Sequence, residues 1–145
     1  MLPEPDVATV VSALHLSIGQ LMRRLRQAKR GDEVTLPESH ALARLDRSGP
    51  STVADMARVA QISPQSMGTT LASLEARGLV ARAPDPHDGR RIVLSLTDAG
   101  REVVRTGRNA RIELLSDAIA QHFTPAERAQ LLAVSPLFER LAKTI

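Results

Sequence analysis

The 145-residue chain has no cysteine, tryptophan or tyrosine, and only two phenylalanines. Without cysteine there can be no disulfide, thiolate nucleophile or thiol redox sensor. Aromatics at 1% leave few platforms for stacking single-stranded bases, which argues against an RNA-type reader. No apolar run approaches bilayer-spanning length. Met1 to Asp6 is acidic and proline-bearing, unlike a signal peptide, so cytoplasmic residence is expected. Enzyme signatures are missing too. There is no G-x-S-x-G elbow and no Gly-rich phosphate loop, and His15, His40, His87 and His122 are scattered without HExxH spacing. We therefore expect no catalysis, cofactor or metal, although ligands gathered from several helices leave a metal-responsive regulator open as an alternative.

What is present is ordinary for a globular chain: 43% hydrophobic and 24% charged residues, with a net charge of +3 that suits a polyanionic partner. The most informative stretch is Ser51 to Gly100. Ser63 can cap a helix, and Pro64 suits its first position. Met67, Leu71 and Leu74 recur at i, i+4 and i+7 and predict a buried stripe. The opposite face offers Gln65, Ser66, Thr69, Thr70 and Ser73, which are short hydrogen-bonding groups with almost no charge. Gly78 is placed to end the helix in a left-handed residue. Val80–Arg82 and Ile92–Leu96 read as two strands around a turn-rich loop, residues 84–91, tipped by Arg90 and Arg91. A preceding helix capped by Thr52, with Val53, Met56 and Ala57 apolar, is separated from Ser63 only by Ala60, Gln61 and Ile62.

Two helices joined by a tight turn and followed by a hairpin make a winged helix-turn-helix. A polar, uncharged helix face suits base edges in the major groove, and a basic hairpin tip suits phosphates or the minor groove. Candidate DNA-binding residues are Ser63, Pro64, Gln65, Ser66, Thr69, Thr70, Ser73, Asp88, Arg90 and Arg91, with Gln65, Ser66, Thr69 and Thr70 as base readers and Arg91 at phosphate.

The segment Asp88-Gly89-Arg90-Arg91-Ile92-Val93-Leu94-Ser95-Leu96-Thr97-Asp98-Ala99-Gly100 carries D-x-R, five residues, then L-T-x-x-G. With Asp85-Pro86, Leu74 and Gly78-Leu79-Val80, it resembles the multiple antibiotic resistance regulator (MarR) family of bacterial transcription factors over Leu36 to Gly100. The resemblance implies a homodimer with interleaved terminal helices, usually a repressor. It also implies that Arg90 enters the minor groove and that Asp88 holds the wing in shape, for which we expect an Asp88–Arg90 ion pair. Departures include the unusually uncharged recognition helix and Gln61, at a turn position the family usually gives to glycine. A left-handed Gln there costs about 1 kcal/mol.

Outside this unit, Val7, Val10, Val11, Leu14, Ile18, Leu21 and Leu25 predict an amphipathic helix from Asp6 to Ala28, broken at Gly31-Asp32-Glu33. Pro37 should open the next helix and Gly49-Pro50 end it, with Leu42 and Leu45 inward. Thr97 to Gly100 should start a helix running to His122. Arg101, Arg105, Arg108 and Arg111 form a stripe along it that a solvated face explains. Thr124-Pro125-Ala126-Glu127 is a capping box for a last helix that Pro136 should kink or interrupt.

The expected fold is mainly α with a small β-hairpin wing: one domain over 1–145, with the winged helix-turn-helix DNA-binding unit at 36–100 and dimerisation helices at 6–30 and 101–145. Leu14, Ile18, Leu21, Leu131, Leu137, Phe138 and Leu141 are the dimerisation candidates. The expected partners are a pseudo-palindromic double-stranded operator and a second copy of the chain. A small amphipathic or anionic effector could sit near His15, His40 and Arg44, in a cavity between the DNA-binding unit and the terminal helices. The rival reading is a winged helix that binds protein without specific DNA binding, for which the uncharged recognition face is the supporting feature.

Overall fold

The computed structural model describes residues 3–27 and 34–145. It contains α1 (Val7–Gln27), α2 (Leu36–Ser48), α3 (Val53–Ala60), α4 (Pro64–Ala76), β1 (Val80–Pro84), β2 (Ile92–Leu96), α5 (Asp98–His122) and α6 (Pro125–Thr144). The chain divides into two compact units, residues 1–110 and 111–145, so α5 contributes to both.

In the first unit the helix starts are capped as their sequences dictate. Asp6 accepts the N–H of Thr9 at 3.1 Å ahead of α1. Thr52 and Ser63 accept from the N–H of Asp55 and Ser66, both at 3.1 Å. α2 begins one residue before Pro37, because Thr35 and Glu38 form a reciprocal capping box around it. It ends at Gly49, whose φ of 76° only glycine adopts freely. The expected continuation of α1 to Ala28 and its break at Gly31-Asp32-Glu33 lie outside the described residues. α1 itself buries no residue.

The core forms where α2, α3 and α4 converge on the hairpin. Leu42, Met56, Leu71, Leu74, Val80 and Leu94 are its largest fully buried side chains. The stripe Met67, Leu71, Leu74 therefore faces inward as its spacing requires. β1 and β2 pair antiparallel with Val80 opposite Leu96 and Pro84 opposite Ile92. β1 runs two residues beyond Arg82, because pairing with β2 continues to the mouth of the loop. Ser51 adds an isolated bridge to Leu94, with reciprocal N–H···O bonds of 3.0 and 2.8 Å, and so ties the α2–α3 connection to the hairpin.

In the second unit, the Thr124–Glu127 capping box opens α6. The helix runs through Pro136 without interruption. The proline removes one backbone donor, but the strong cap and a run of good helix formers hold the rest.

Candidate nucleic-acid interface

α4 is a short helix with differentiated faces. Ser63 caps it and bonds the Ser66 hydroxyl at 2.9 Å. One side enters the core. A second line, Ser66, Thr70, Ser73 and Arg77, borders α2. Ser66 and Thr70 line a cavity shared with α2 and α3. Ser73 donates its hydroxyl to Glu38 at 2.9 Å, and Arg77 pairs with the same carboxylate at 2.8 Å. The third side presents Gln65 and Thr69 to solvent, beside Gly68 and Ala72. Of the expected base readers, Gln65, Ser66 and Thr69 are exposed and Thr70 is half-buried, and Gln65 and Thr69 are the two that do not line the cavity. Ser73 does not stand free, because its hydroxyl is committed to a buried acid. The hydroxyls of Thr69 and Thr70 donate to the carbonyls of Gln65 and Ser66, each at 3.1 Å, leaving their methyls and lone pairs for other contacts.

The turn into α4 carries the strain expected of it. Gln61 is left-handed at φ 55°, ψ 40°, the conformation glycine adopts without a Cβ penalty. Its N–H bonds back to Arg58 at 3.2 Å, which closes the end of α3.

The wing loop is braced through backbone bonds. Asp85 accepts the N–H of His87 at 2.9 Å, and Asp88 accepts the N–H of Arg90 at 3.1 Å. The expected Asp88–Arg90 ion pair is therefore replaced by a carboxylate-to-backbone bond. A short aspartate side chain reaches the N–H two residues on more readily than a guanidinium beyond it. Arg91, expected at phosphate, pairs instead with Asp55 at 3.1 Å, and Asp55 also holds Arg58 at 3.0 Å. The root of the wing is thus pinned to the first turn of α3. Of the five arginines between residues 51 and 100, Arg58, Arg77, Arg82 and Arg91 each have a carboxylate partner, whereas Arg90 has none among the described residues.

A family model described as MarR family matches residues 33–91. The uncharacterised HTH-type transcriptional regulator Mb0904 of Mycobacterium bovis is 36% identical over 113 residues, 78% of this chain and 79% of its own length. The HTH-type transcriptional repressor Rv2887 of Mycobacterium tuberculosis is 39% identical over 72 residues, 50% of this chain and 52% of its own. A Pseudomonas aeruginosa protein assigned as a transcriptional regulator superposes with a TM-score of 0.83 at 29% identity, covering 95% of this chain and 97% of that one. The chain belongs to the MarR family.

As a MarR-family member it is a DNA-binding regulator of transcription and not an enzyme. Its wing signature has a physical reading in this structure. Thr97 donates its hydroxyl to the Gly78 carbonyl at 2.6 Å, and its N–H bonds Leu79 at 3.1 Å. The same hydroxyl accepts the N–H of Gly100 at 3.1 Å and so caps α5. Gly100 packs against the Leu79 carbonyl so closely that a Cβ would lie 2.1 Å from its oxygen. The L-T-x-x-G segment therefore locks the exit of β2 onto the entry of β1. The arginine stripe on α5 is partly paired: Arg101 with Asp98, Arg105 with Glu102, and Arg108 with Asp46.

The cavity has a volume of about 570 Å³ and lies within the DNA-binding unit, between α2, α3 and α4, rather than between that unit and the terminal helices. His40 and Arg44 line it together with Leu36, Met56, Val59 and Met67. His15 is exposed on α1 and is not part of the lining. Among the described residues the Arg44 Nε is buried without a hydrogen-bond partner, an arrangement that costs free energy. Among the described residues no helix is long and apolar enough to cross a membrane.

Sequence reasoning missed Glu38, Asp55 and Arg77 as parts of this site. Thr35-x-x-Glu38 was available as a capping signal. Nothing local pointed to the partners of Glu38 on α4 or of Asp55 on the wing.

Proposed function

We propose that the protein acts in the cytoplasm as a homodimeric, effector-responsive repressor of a pseudo-palindromic operator. Two recognition helices related by a two-fold axis enter major grooves about one helical turn, 10–10.5 bp, apart. Gln65 and Thr69 read base edges. Ser63, Pro64 and Ser66 shape the helix N-terminal end beside them, and Thr70 stands one turn beyond Ser66. Arg90 enters the minor groove from a wing held by Asp88 and Arg91. The observation that carries this reading is the solvent-exposed side of α4 with Gln65 and Thr69 together with Arg90 at the wing tip, which has no carboxylate partner among the described residues. The repressor relative at 39% identity supports the direction of regulation.

The apolar faces of α1 and α6 support a homodimer. Leu21, Leu131, Leu137, Phe138 and Leu141 are exposed, and Leu14 and Ile18 only half-buried, within one chain. The cavity at His40 and Arg44 supports an amphipathic anion as effector, since an apolar lining holds its body and the Arg44 guanidinium its charge.

Selection of bound sequences from random duplex DNA tests the DNA reading. A two-fold related motif should emerge, and Gln65→Ala should change it. Arg90→Ala should cost about 1–3 kcal/mol of binding. An unchanged motif in Gln65→Ala, with affinity lowered equally for all duplexes, would exclude direct readout by that residue.

A further inference from the structure

Glu38 is the buried charged residue of the core, with 6% of its surface exposed. Its Oε2 accepts the N–H of Thr35 at 3.1 Å, completing the cap of α2, and also accepts from the Arg77 guanidinium at 2.8 Å. Its Oε1 accepts the Ser73 hydroxyl at 2.9 Å. Burial opposes the charge, but the Thr35 N–H, the Ser73 hydroxyl and Arg77 outweigh it, and the carboxyl stays below its ordinary value.

Capping does not require this burial. Glu127 closes the same box with Thr124 at the exposed start of α6 and has no partner outside that turn among the described residues. What distinguishes Glu38 is its pair of bonds to α4 and to the Arg77 that caps its C-terminal end, at residues 35 and 39 positions along the chain. Ser73 and Arg77 are one helical turn apart, so a single carboxylate holds two successive points on one side of the recognition helix. Fixing that side fixes the rotation at which the outward side, with Gln65 and Thr69, is presented. On a helix about 10–12 Å across, a 20° rotation moves a side-chain tip by roughly 2 Å, enough to break a hydrogen bond to a base edge.

We propose that Glu38 is a positioning residue that sets the rotation of α4 through Ser73 and Arg77, and thereby the protein's discrimination between DNA sequences. This rests on the reading that Gln65 and Thr69 face base edges.

The test is a double-mutant cycle in the full-length protein, measured on the selected operator and on random duplex, with thermal melting alongside. Glu38→Gln keeps the volume and the cap and loses the ion pair. Arg77→Gln loses it from the other side. Each should lower the operator-over-random preference by about tenfold while random-duplex affinity moves by no more than about twofold. The double variant should be no worse than the poorer single one, and Arg77→Lys should recover part of the preference. Additive losses, an equal fall on both duplexes, or a lowered melting temperature with intact preference would each overturn the proposal. A wild-type protein with no preference among duplexes would overturn the DNA reading as well. A wild-type preference that survives both substitutions would overturn this inference alone.

Discussion

The 13-residue recognition helix α4 hides Met67, Leu71 and Leu74, whereas the 21 residues of α1 and the 20 of α6 hide none. The three helices differ less in composition than in what surrounds them. α4 lies against α2, α3 and a hairpin that all belong to its own chain, so its apolar stripe is satisfied as soon as the unit folds. The leucines of α1 and α6 follow an equally regular spacing, yet Leu21, Leu132 and Leu137 remain exposed. Apolar periodicity thus marks surface suited to burial without saying what would cover it. One region carries its partners within about sixty residues, and we propose that the other finds them on a second copy.

The sharpest way to break that contrast is to weaken each region in turn and vary protein concentration. Leu71→Ala empties a site with no solvent exposure and should cost about 2–5 kcal/mol in denaturant unfolding, independent of concentration. Removing Leu137 to Ile145 should convert the dimer to monomer in sedimentation. It should also weaken operator binding by about 100-fold or more, since the half-sites would no longer be held together. A truncated chain that stays dimeric would place the dimer contacts elsewhere. Gly100→Ala forces a methyl against the Leu79 carbonyl and should cost about 1–3 kcal/mol, read as a lower melting temperature.

Smaller effects sharpen the picture inside the core. The Glu38 carboxyl lies below its ordinary value of 4.5 in the folded chain. Its contribution to stability is therefore present at neutral pH and is lost as the pH falls through the folded value. Glu38→Gln should flatten the acid limb of a stability–pH profile, and an unchanged limb would contradict the clamp. Last, Gln61→Gly should relieve the left-handed strain and stabilise the fold by less than about 1 kcal/mol, since added chain entropy offsets part of the gain.

Much of the DNA-binding unit is legible in the sequence because its signals are local. Ser63-Pro64 starts α4, Gly78 ends it at φ 71°, and the loop from Asp85 to Arg91 closes the hairpin. The left-handed turn at Gln61 follows from its place between two caps. What escapes the reading depends on residues distant in the chain. Thr35–Glu38 and Thr124–Glu127 are the same motif in sequence, yet one glutamate is buried against α4 and the other lies in solvent. Arg91 looks like a free cation at a loop tip, but Asp55, 36 residues earlier, lies within reach. The cavity lies between α2, α3 and α4 for a related reason. His40 and Arg44 on one side of α2 meet α3 and α4, while His15, on an amphipathic helix of its own, stays in solvent.

The pairing of arginines with carboxylates has a thermodynamic consequence. A protein is pulled onto DNA by salt dilution in proportion to the counterions its free cations displace, with a slope of about −0.9 per neutralised phosphate. Between residues 51 and 100 four of five arginines have a carboxylate partner, with Arg58 and Arg91 sharing Asp55, so three carboxylates offset part of their charge, and we propose that Arg90 enters a groove. This segment therefore releases few ions from each half-site. In the proposed complex the grip rests more on short-range fit, which salt erodes slowly, so selectivity should persist at ionic strengths where a charge-driven binder has already let go.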